Sequence, residues 1–95
     1  MRLEITARAA RDLRELHSYG IREYGTARAD VYLAELFGKF DHAAQWPFSA
    51  RQRFNVDPPV RLNRQRAHNI VYTADQGAVS ILRVFHHSVN WIDLL

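Results

Sequence analysis

The sequence predicts an α+β fold in which a short N-terminal strand and an antiparallel helical hairpin pack on a mostly antiparallel β-sheet. Two patterns support this prediction. Apolar residues recur at helical spacing in two runs before residue 46, and residues 60–86 have the β-branched, alternating composition of strands. The 95 residues are expected to form one domain, residues 1–95, and the 47% apolar fraction can fill its core.

The first half of the chain is predicted to form one strand and two helices. Leu3 and Ile5 alternate with charged residues, as in a half-exposed strand, and Thr6 is suited to cap the helix that follows. Gly25 is expected to end that helix, and Thr26 to cap the next one. Apolar residues three and four apart form a stripe on each helix: Ala9, Leu13, Leu16, Gly20 and Tyr24, then Ala29, Leu33, Leu36, Phe37, Phe40 and Ala43.

The second half is predicted to form a loop and then a sheet. Trp46 and Pro47 end the second helix, and residues 48–59 lack any period and are expected to form a surface loop. Three strand-like segments follow, at residues 60–64, 69–73 and 78–85. Turn-forming residues separate the last two segments, which predicts a β-hairpin.

The positive charge of the chain is concentrated in one segment. Residues 1–50 contain seven basic and seven acidic side chains, whereas residues 51–95 contain six arginines and three aspartates, which accounts for the net charge of +3. Five of these arginines lie between Arg51 and Arg66. Such clustering is typical of a surface that binds phosphate or an acidic partner. The preference for arginine over lysine can equally reflect genomic base composition.

Several classes of protein are disfavoured. Cysteine is absent, which excludes disulfides and thiolate metal sites, and the four glycines form no phosphate-binding loop. The charged N-terminus lacks the apolar stretch of a signal peptide, and no apolar run is long enough to span a bilayer. The sequence therefore predicts a cytoplasmic protein without a metal or another cofactor.

Arg83 interrupts a face of the last strand that Val79, Ile81 and Phe85 are expected to share. A buried guanidinium group must be paired. Arg83 therefore either forms a structural ion pair or joins Arg61 of a neighbouring strand in an anion site.

Histidines follow on the same strand. His86 is either a hydrogen-bonded structural residue at the strand end, or a proton donor or acceptor, or a contact to a target. His87 is expected to point to the opposite face, so the two rings cannot chelate one metal ion. Trp91 is expected to pack over the core.

Aromatic residues are dense around the end of the second helix. They exceed what a two-layer core can cover, so the sequence predicts an apolar groove for a partner segment among Phe37, Phe40, Trp46 and Phe48.

The order of elements and the last third of the chain resemble the RelE/ParE superfamily of bacterial type II toxins, with the closer resemblance to ParE. The residues that carry the resemblance are Val60-Arg61, the segment His68-Asn69-Ile70-Val71-Tyr72 and the ending from Ile81 to Ser88. The opening from Ile5 to Leu13 is also similar to the start of ParE chains. Val89 and Asn90 depart from the Met and Asp that are common in the ParE ending.

This resemblance implies a toxin that is neutralised by an antitoxin encoded beside it. ParE-like toxins interfere with DNA gyrase, whereas RelE-like toxins cut mRNA on the ribosome with basic residues and a tyrosine or histidine. The lack of clustered lysines favours the gyrase inhibitor, for which no catalytic residues are expected. In the alternative, a ribosome-dependent mRNA endoribonuclease, Arg61, Arg83 and His86 are the expected catalytic residues. A third alternative is an inactive member that acts only in a repressor complex with its antitoxin.

The sequence and the resemblance together predict one surface for the target and another for the antitoxin. The target-binding residues are expected to lie in the last third of the chain: Arg61, Arg83, His86, His87 and Trp91. The antitoxin, which is expected to be ParD-like with an acidic C-terminal segment, is predicted to cover Leu33, Phe37 and Phe40 in a heteromeric complex. Its acidic segment is expected to meet the basic stretch from Arg51 to Arg66.

Overall fold

The structure, a computed structural model, describes residues 1–95. Its elements in chain order are β1 (Arg2–Ile5), α1 (Ala7–Tyr24), α2 (Thr26–Gln45), β2 (Gln52–Arg53), β3 (Val60–Gln65), β4 (His68–Asp75), β5 (Ala78–His86) and a 3-10 turn (Trp91–Leu94). The strands form one sheet of order β1-β5-β4-β3-β2, in which β1 and β5 are parallel and the other neighbours are antiparallel. The predicted α+β fold is confirmed.

The two helices begin and end close to the predicted positions. The Thr6 hydroxyl accepts a hydrogen bond from the backbone N–H of Ala9 at 3.1 Å, which confirms it as the cap of α1. Gly25 lies between the helices with φ +89° and ψ 161°. The predicted cap role of Thr26 is wrong, because α2 starts at Thr26 itself and no side chain caps it.

The main core lies between the helical hairpin and one face of the sheet. Its buried members come from both helices, β4 and β5: Ala9, Leu13, Leu36, Phe40, Ala43, Ile70, Tyr72, Val79, Ile81 and Val84. Tyr24 does not join it and is exposed, because it lies at the open end of α1. A smaller cluster covers the other face and consists of Val60, Val71, Phe85 and Trp91. The sheet is therefore apolar on both faces.

A β-bulge in β5 changes which residues share a face. Tyr72 pairs with Ile81 and Val71 pairs with Arg83, so Leu82 is an extra residue in the strand. Ile81 consequently faces the helices, whereas Phe85 belongs to the cluster on the opposite face. The prediction that Val79, Ile81, Arg83 and Phe85 share one face is wrong, because the extra residue reverses the alternation.

The connection between α2 and β3 is more regular than the predicted loop. It contains β2, in which Gln52 pairs with Arg61 and Arg53 pairs with Val60. The Tyr72 hydroxyl donates a hydrogen bond to the carbonyl of Pro47 at 3.3 Å and ties the connection to the sheet. None of the helices combines the length and the apolar character that a membrane crossing requires.

Candidate functional site

Arg83 is held by an ion pair with Asp12 of α1. Its Nε and Nη2 donate to the two carboxylate oxygens at 2.8 and 3.0 Å, and the side chains of Arg83 and Asp12 are only 16% and 10% exposed. These hydrogen bonds raise the pKa of Arg83 above its ordinary value. The backbone N–H of Val84 donates to the same carboxylate at 2.9 Å. This geometry is that of the structural ion pair, one of the two expected possibilities.

Arg61 has a different set of partners. It donates a hydrogen bond to the carbonyl of Ala50 at 2.6 Å, and its guanidinium carbon lies 5.1 Å from the centre of the Phe48 ring. Arg83 instead points toward α1, with its guanidinium carbon 4.3 Å from the centre of the Phe85 ring. The two arginines therefore do not meet in one anion site.

Three histidines and a tyrosine meet near α2, where β4 begins and β5 ends. His68 pairs directly with His86 across the hairpin, and their ring centres are 5.6 Å apart. The ring centre of His87 lies 4.5 Å from that of His86, so the two neighbours are stacked and do not point to opposite faces. Tyr32 of α2 completes the group, with its hydroxyl 2.7 Å from Nδ1 of His68. We call these four residues the histidine cluster.

Hydrogen bonding fixes the proton on His68. The Tyr32 hydroxyl also lies 2.7 Å from the carbonyl oxygen of Gln65, which can only accept. Tyr32 therefore donates to that carbonyl and accepts from Nδ1–H of His68, which leaves Nε2 of His68 unprotonated. Burial, and then the neighbouring His86 and His87, lower the pKa of His68 to about 4. His68 is consequently neutral at physiological pH, with a free lone pair on Nε2.

His86 carries its proton on the other nitrogen. Its Nδ1 accepts a hydrogen bond from the backbone N–H of Ser88 at 3.2 Å, and the Ser88 hydroxyl lies 2.7 Å from the same nitrogen. The neutral His86 ring therefore has its proton on Nε2. The cluster thus places one imidazole with a free lone pair beside one whose Nε2–H can donate a hydrogen bond. No group of three or more metal-ligating side chains is suitably arranged to hold a metal ion.

A groove of about 1270 Å³ adjoins the histidine cluster. It is bounded by α1, the first half of α2, the turn between β3 and β4, and the end of β5. Apolar and aromatic side chains dominate its lining, and the large exposed ones are Tyr19, Tyr24, Val31 and Leu94. Charged residues of both signs, among them Glu15 and Arg66, are interspersed with them. The groove is large enough to receive a helical or extended segment of another protein.

The comparison with known proteins identifies the family. The sequence model of the family described as the ParE toxin of the type II toxin–antitoxin system parDE matches residues 3–91. The chain belongs to the ParE toxin family. No curated protein matches this ParE-family toxin. A solved structure described as "Chromosomal ParDE TA system from P. aeruginosa" has a similar fold, with a TM-score of 0.80 and 20% identity over 90% of this chain and 95% of that one.

The three predicted antitoxin-binding residues differ in how far they are exposed. Phe40 is fully buried in the main core and offers no surface to a partner. Leu33 is partly buried against that core, and Phe37 is 39% exposed, with its ring edge-on to Phe40 at 5.4 Å. The prediction that Phe40 contacts the antitoxin is therefore wrong, whereas Leu33 and Phe37 stay predicted contacts.

The predicted target-binding residues also differ in exposure. His86 and His87 are exposed at the end of β5. Trp91 is 8% exposed because it covers the second cluster, and Arg83 is occupied by Asp12. Of the five predicted residues, the two histidines are therefore the most accessible on the toxin surface, and Arg61 is partly so.

Three residues of these sites, Tyr32, His68 and Asp12, are not predicted by the sequence as functional or structural partners. Asp12 and His68 stand out in the sequence only as members of the segments that resemble the family. One signal could have located His68: counting back from the predicted hairpin turn places it opposite the end of β5. Nothing in the sequence indicates Tyr32, whose contacts depend on how α2 crosses the sheet.

Proposed function

We propose that this toxin inhibits DNA gyrase by docking on it, without catalysing a reaction, in the cytoplasm. The match to the ParE family over residues 3–91 carries this proposal. The ion pair of Arg83 with Asp12 also supports it, because this guanidinium group is not free to stabilise charge on a reacting phosphate. The exposed pair His86 and His87, together with the exposed Ile92 and Leu94 of the 3-10 turn, forms the proposed docking surface.

A supercoiling assay with purified gyrase tests this proposal. The toxin is expected to block supercoiling or to trap cleaved DNA, and the double variant His86→Ala/His87→Ala is expected to require about tenfold more protein. Arg14→Ala, at an exposed position of α1 outside every proposed site, serves as the matched control. Full gyrase activity at a large excess of folded toxin would contradict the proposal.

A cognate antitoxin is proposed to neutralise the toxin by covering the groove and the adjacent face of α2. The groove supplies exposed apolar surface at Tyr24 and Val31, and Phe37 extends this surface along α2. Tyr24→Ala and Phe37→Ala are each expected to weaken antitoxin binding by about tenfold or more, because each removes an aromatic ring that the antitoxin is proposed to cover. Full affinity in both folded variants, measured by calorimetry with the product of the adjacent reading frame, would contradict this assignment.

A second candidate function is the cutting of mRNA on the ribosome, which the histidine cluster favours. Nε2 of His68 could take the proton of a ribose 2′-hydroxyl as its oxygen attacks the adjacent phosphorus. The bond from phosphorus to the 5′-oxygen would break. His86 in its imidazolium form, with Nδ1–H donated to the Ser88 hydroxyl, would give its Nε2 proton to that oxygen and become the neutral ring. Arg66, which lines the same groove and forms only a long, exposed ion pair with Glu35 at 3.5 Å, would take the place of Arg61 and Arg83 near the phosphate.

Mapping of mRNA ends in a translation extract separates the two functions. The endoribonuclease predicts cuts within translated codons that disappear in both His68→Ala and His86→Ala. The gyrase inhibitor predicts intact mRNA in the presence of the unaltered toxin. Cuts that persist in the two variants would exclude the histidine cluster as their origin.

A further inference from the structure

A second surface lies at the end of α2 that is remote from the groove. It consists of three aromatic and two arginine side chains in the connection between α2 and β3 and at the start of β3: Trp46, Phe48, Phe54, Arg51 and Arg61. We call it the aromatic–arginine surface. Arg53 does not belong to it, because Arg53 pairs with Val60 and Arg61 pairs with Tyr72, and these two partners lie on opposite faces of the sheet. The proposed antitoxin site extends along α2 to Phe37, about 14 Å along the helix axis from Trp46. An antitoxin bound to the groove and to this face of α2 therefore leaves the aromatic–arginine surface free.

The aromatic rings of this surface are exposed although their backbone is anchored. Trp46, Phe48 and Phe54 are 62%, 63% and 74% exposed. The Arg61 guanidinium lies over the Phe48 ring, and its hydrogen bond to the Ala50 carbonyl fixes it there. Pairing of β2 with β3 holds the segment between Phe48 and Phe54. One face of the Phe48 ring thus packs against the Arg61 guanidinium group, and the other face is accessible to a ligand.

The positive charge of the surface is not neutralised within the protein. None of the four ion pairs of the structure involves Arg51 or Arg61. Asp57 is the only acidic residue between positions 46 and 66, and it forms no ion pair either. The surface therefore combines uncompensated guanidinium groups with planar apolar faces.

We propose that the aromatic–arginine surface binds single-stranded DNA. Unpaired bases stack on exposed aromatic rings, and guanidinium groups contact the phosphates between them, so one ligand engages both kinds of side chain. An acidic peptide would neutralise the arginines but would supply no succession of planar groups for the three rings. The choice of DNA over RNA rests on the proposed function, because a protein docked on gyrase lies beside DNA.

Fluorescence anisotropy with the purified toxin and a labelled oligothymidine of about 15 nucleotides tests the proposal. Trp46→Ala and Phe54→Ala are each expected to weaken binding by about tenfold, the loss typical of one stacked base. Arg51→Ala is expected to reduce the slope of log K against log salt by about 0.7, because one phosphate contact is lost. Arg14→Ala removes the same charge from an exposed part of α1 and is expected to leave the slope unchanged.

Other results of these measurements would contradict the binding of single-stranded DNA or the proposed inhibition of gyrase. Equal binding of a duplex of the same length would show a purely electrostatic contact, and tighter binding of oligouridine would overturn the choice of DNA. Binding of phosphatidylglycerol vesicles without oligothymidine would assign the surface to a membrane. Gyrase inhibition without oligothymidine binding would overturn this inference alone, whereas oligothymidine binding without gyrase inhibition would overturn the proposed function alone.

Discussion

At the scale of single residues, Asp12 forms the most buried of the four ion pairs of the structure. Its carboxylate accepts three hydrogen bonds, two from Arg83 and one from the backbone of Val84. Both members of the ion pair are largely buried, so the loss of one leaves the other charged without a partner. We expect Asp12→Ala to lower the free energy of unfolding by about 3–5 kcal/mol in urea denaturation.

Two further variants separate the charge from the hydrogen bond in this prediction. Asp12→Ala/Arg83→Met removes both charges and is expected to be about 1–2 kcal/mol more stable than Asp12→Ala alone. Asp12→Asn keeps an acceptor for the Val84 N–H, so the free energy of unfolding is expected to decrease less than in Asp12→Ala. A loss below about 1 kcal/mol in Asp12→Ala would show that the pair behaves as an exposed one.

His68 makes stability depend on pH. Its pKa is about 4 in the folded protein and about 6.5 when unfolded, so the unfolded chain binds a proton that the folded chain excludes. The contribution of His68 to the free energy of unfolding is complete above pH 6.5 and is lost as the pH falls toward 4. Between pH 7 and pH 5 the free energy of unfolding should decrease by about 2 kcal/mol through this residue.

His68→Asn isolates that contribution from those of the other histidines. The asparagine amide can donate to the Tyr32 hydroxyl as Nδ1–H does, but it does not titrate. The decrease between pH 7 and pH 5 should therefore be about 2 kcal/mol smaller in the variant. Identical pH dependence of the two proteins would refute the low pKa of His68.

At the scale of secondary-structure elements, the helical hairpin depends on the backbone of Gly25. Its φ of +89° with ψ of 161° is accessible to glycine and strained for any residue with a side chain. Gly25→Ala is expected to lower the free energy of unfolding by about 1–3 kcal/mol, measured by urea denaturation.

Gly38 provides the opposite case in the same hairpin. It lies within α2, and a Cβ built on it meets no atom within 4 Å. Gly38→Ala should therefore raise the free energy of unfolding by about 0.5–1 kcal/mol through helix propensity. Effects of the same sign in Gly25→Ala and Gly38→Ala would contradict the conformational argument.

The elements were predictable from the sequence because each has a local cause. The Thr6 cap, the turn at Gln76 and Gly77, and the apolar stripes all act within a few residues. The bulge at Leu82 has no such signal, because β5 is apolar on both faces around it and its periodicity is therefore weak. The faces of its second half were accordingly predicted wrongly.

At the scale of the whole molecule, the sheet separates two apolar clusters of unequal size. Trp91 covers the smaller one, on the face opposite the helices. Trp91→Ala is expected to lower the free energy of unfolding by about 3–5 kcal/mol, as for other buried tryptophans. Ile92→Ala, at the exposed neighbouring position, should change it by about 0.5 kcal/mol or less. Equal losses in urea denaturation would show that the smaller cluster contributes little.

The sites were less predictable than the fold because they depend on the whole molecule. Arg83 is 71 residues from Asp12 in the sequence, and His68 is 36 residues from Tyr32. No local pattern selects such partners, because the packing of the helices on the sheet decides which side chains meet. The sequence therefore indicated His86 as a candidate without showing its protonation or its neighbours.

The contact between Asp12 and Val84 also bears on self-association. β5 continues beyond Ile81, where its pairing with β1 ends, so a backbone donor at Val84 could begin a ladder with a strand of another molecule. The Asp12 carboxylate accepts from that donor and takes the place of an incoming strand. The Asp12 carboxylate thereby removes a backbone donor through which a strand of another molecule could pair with this edge.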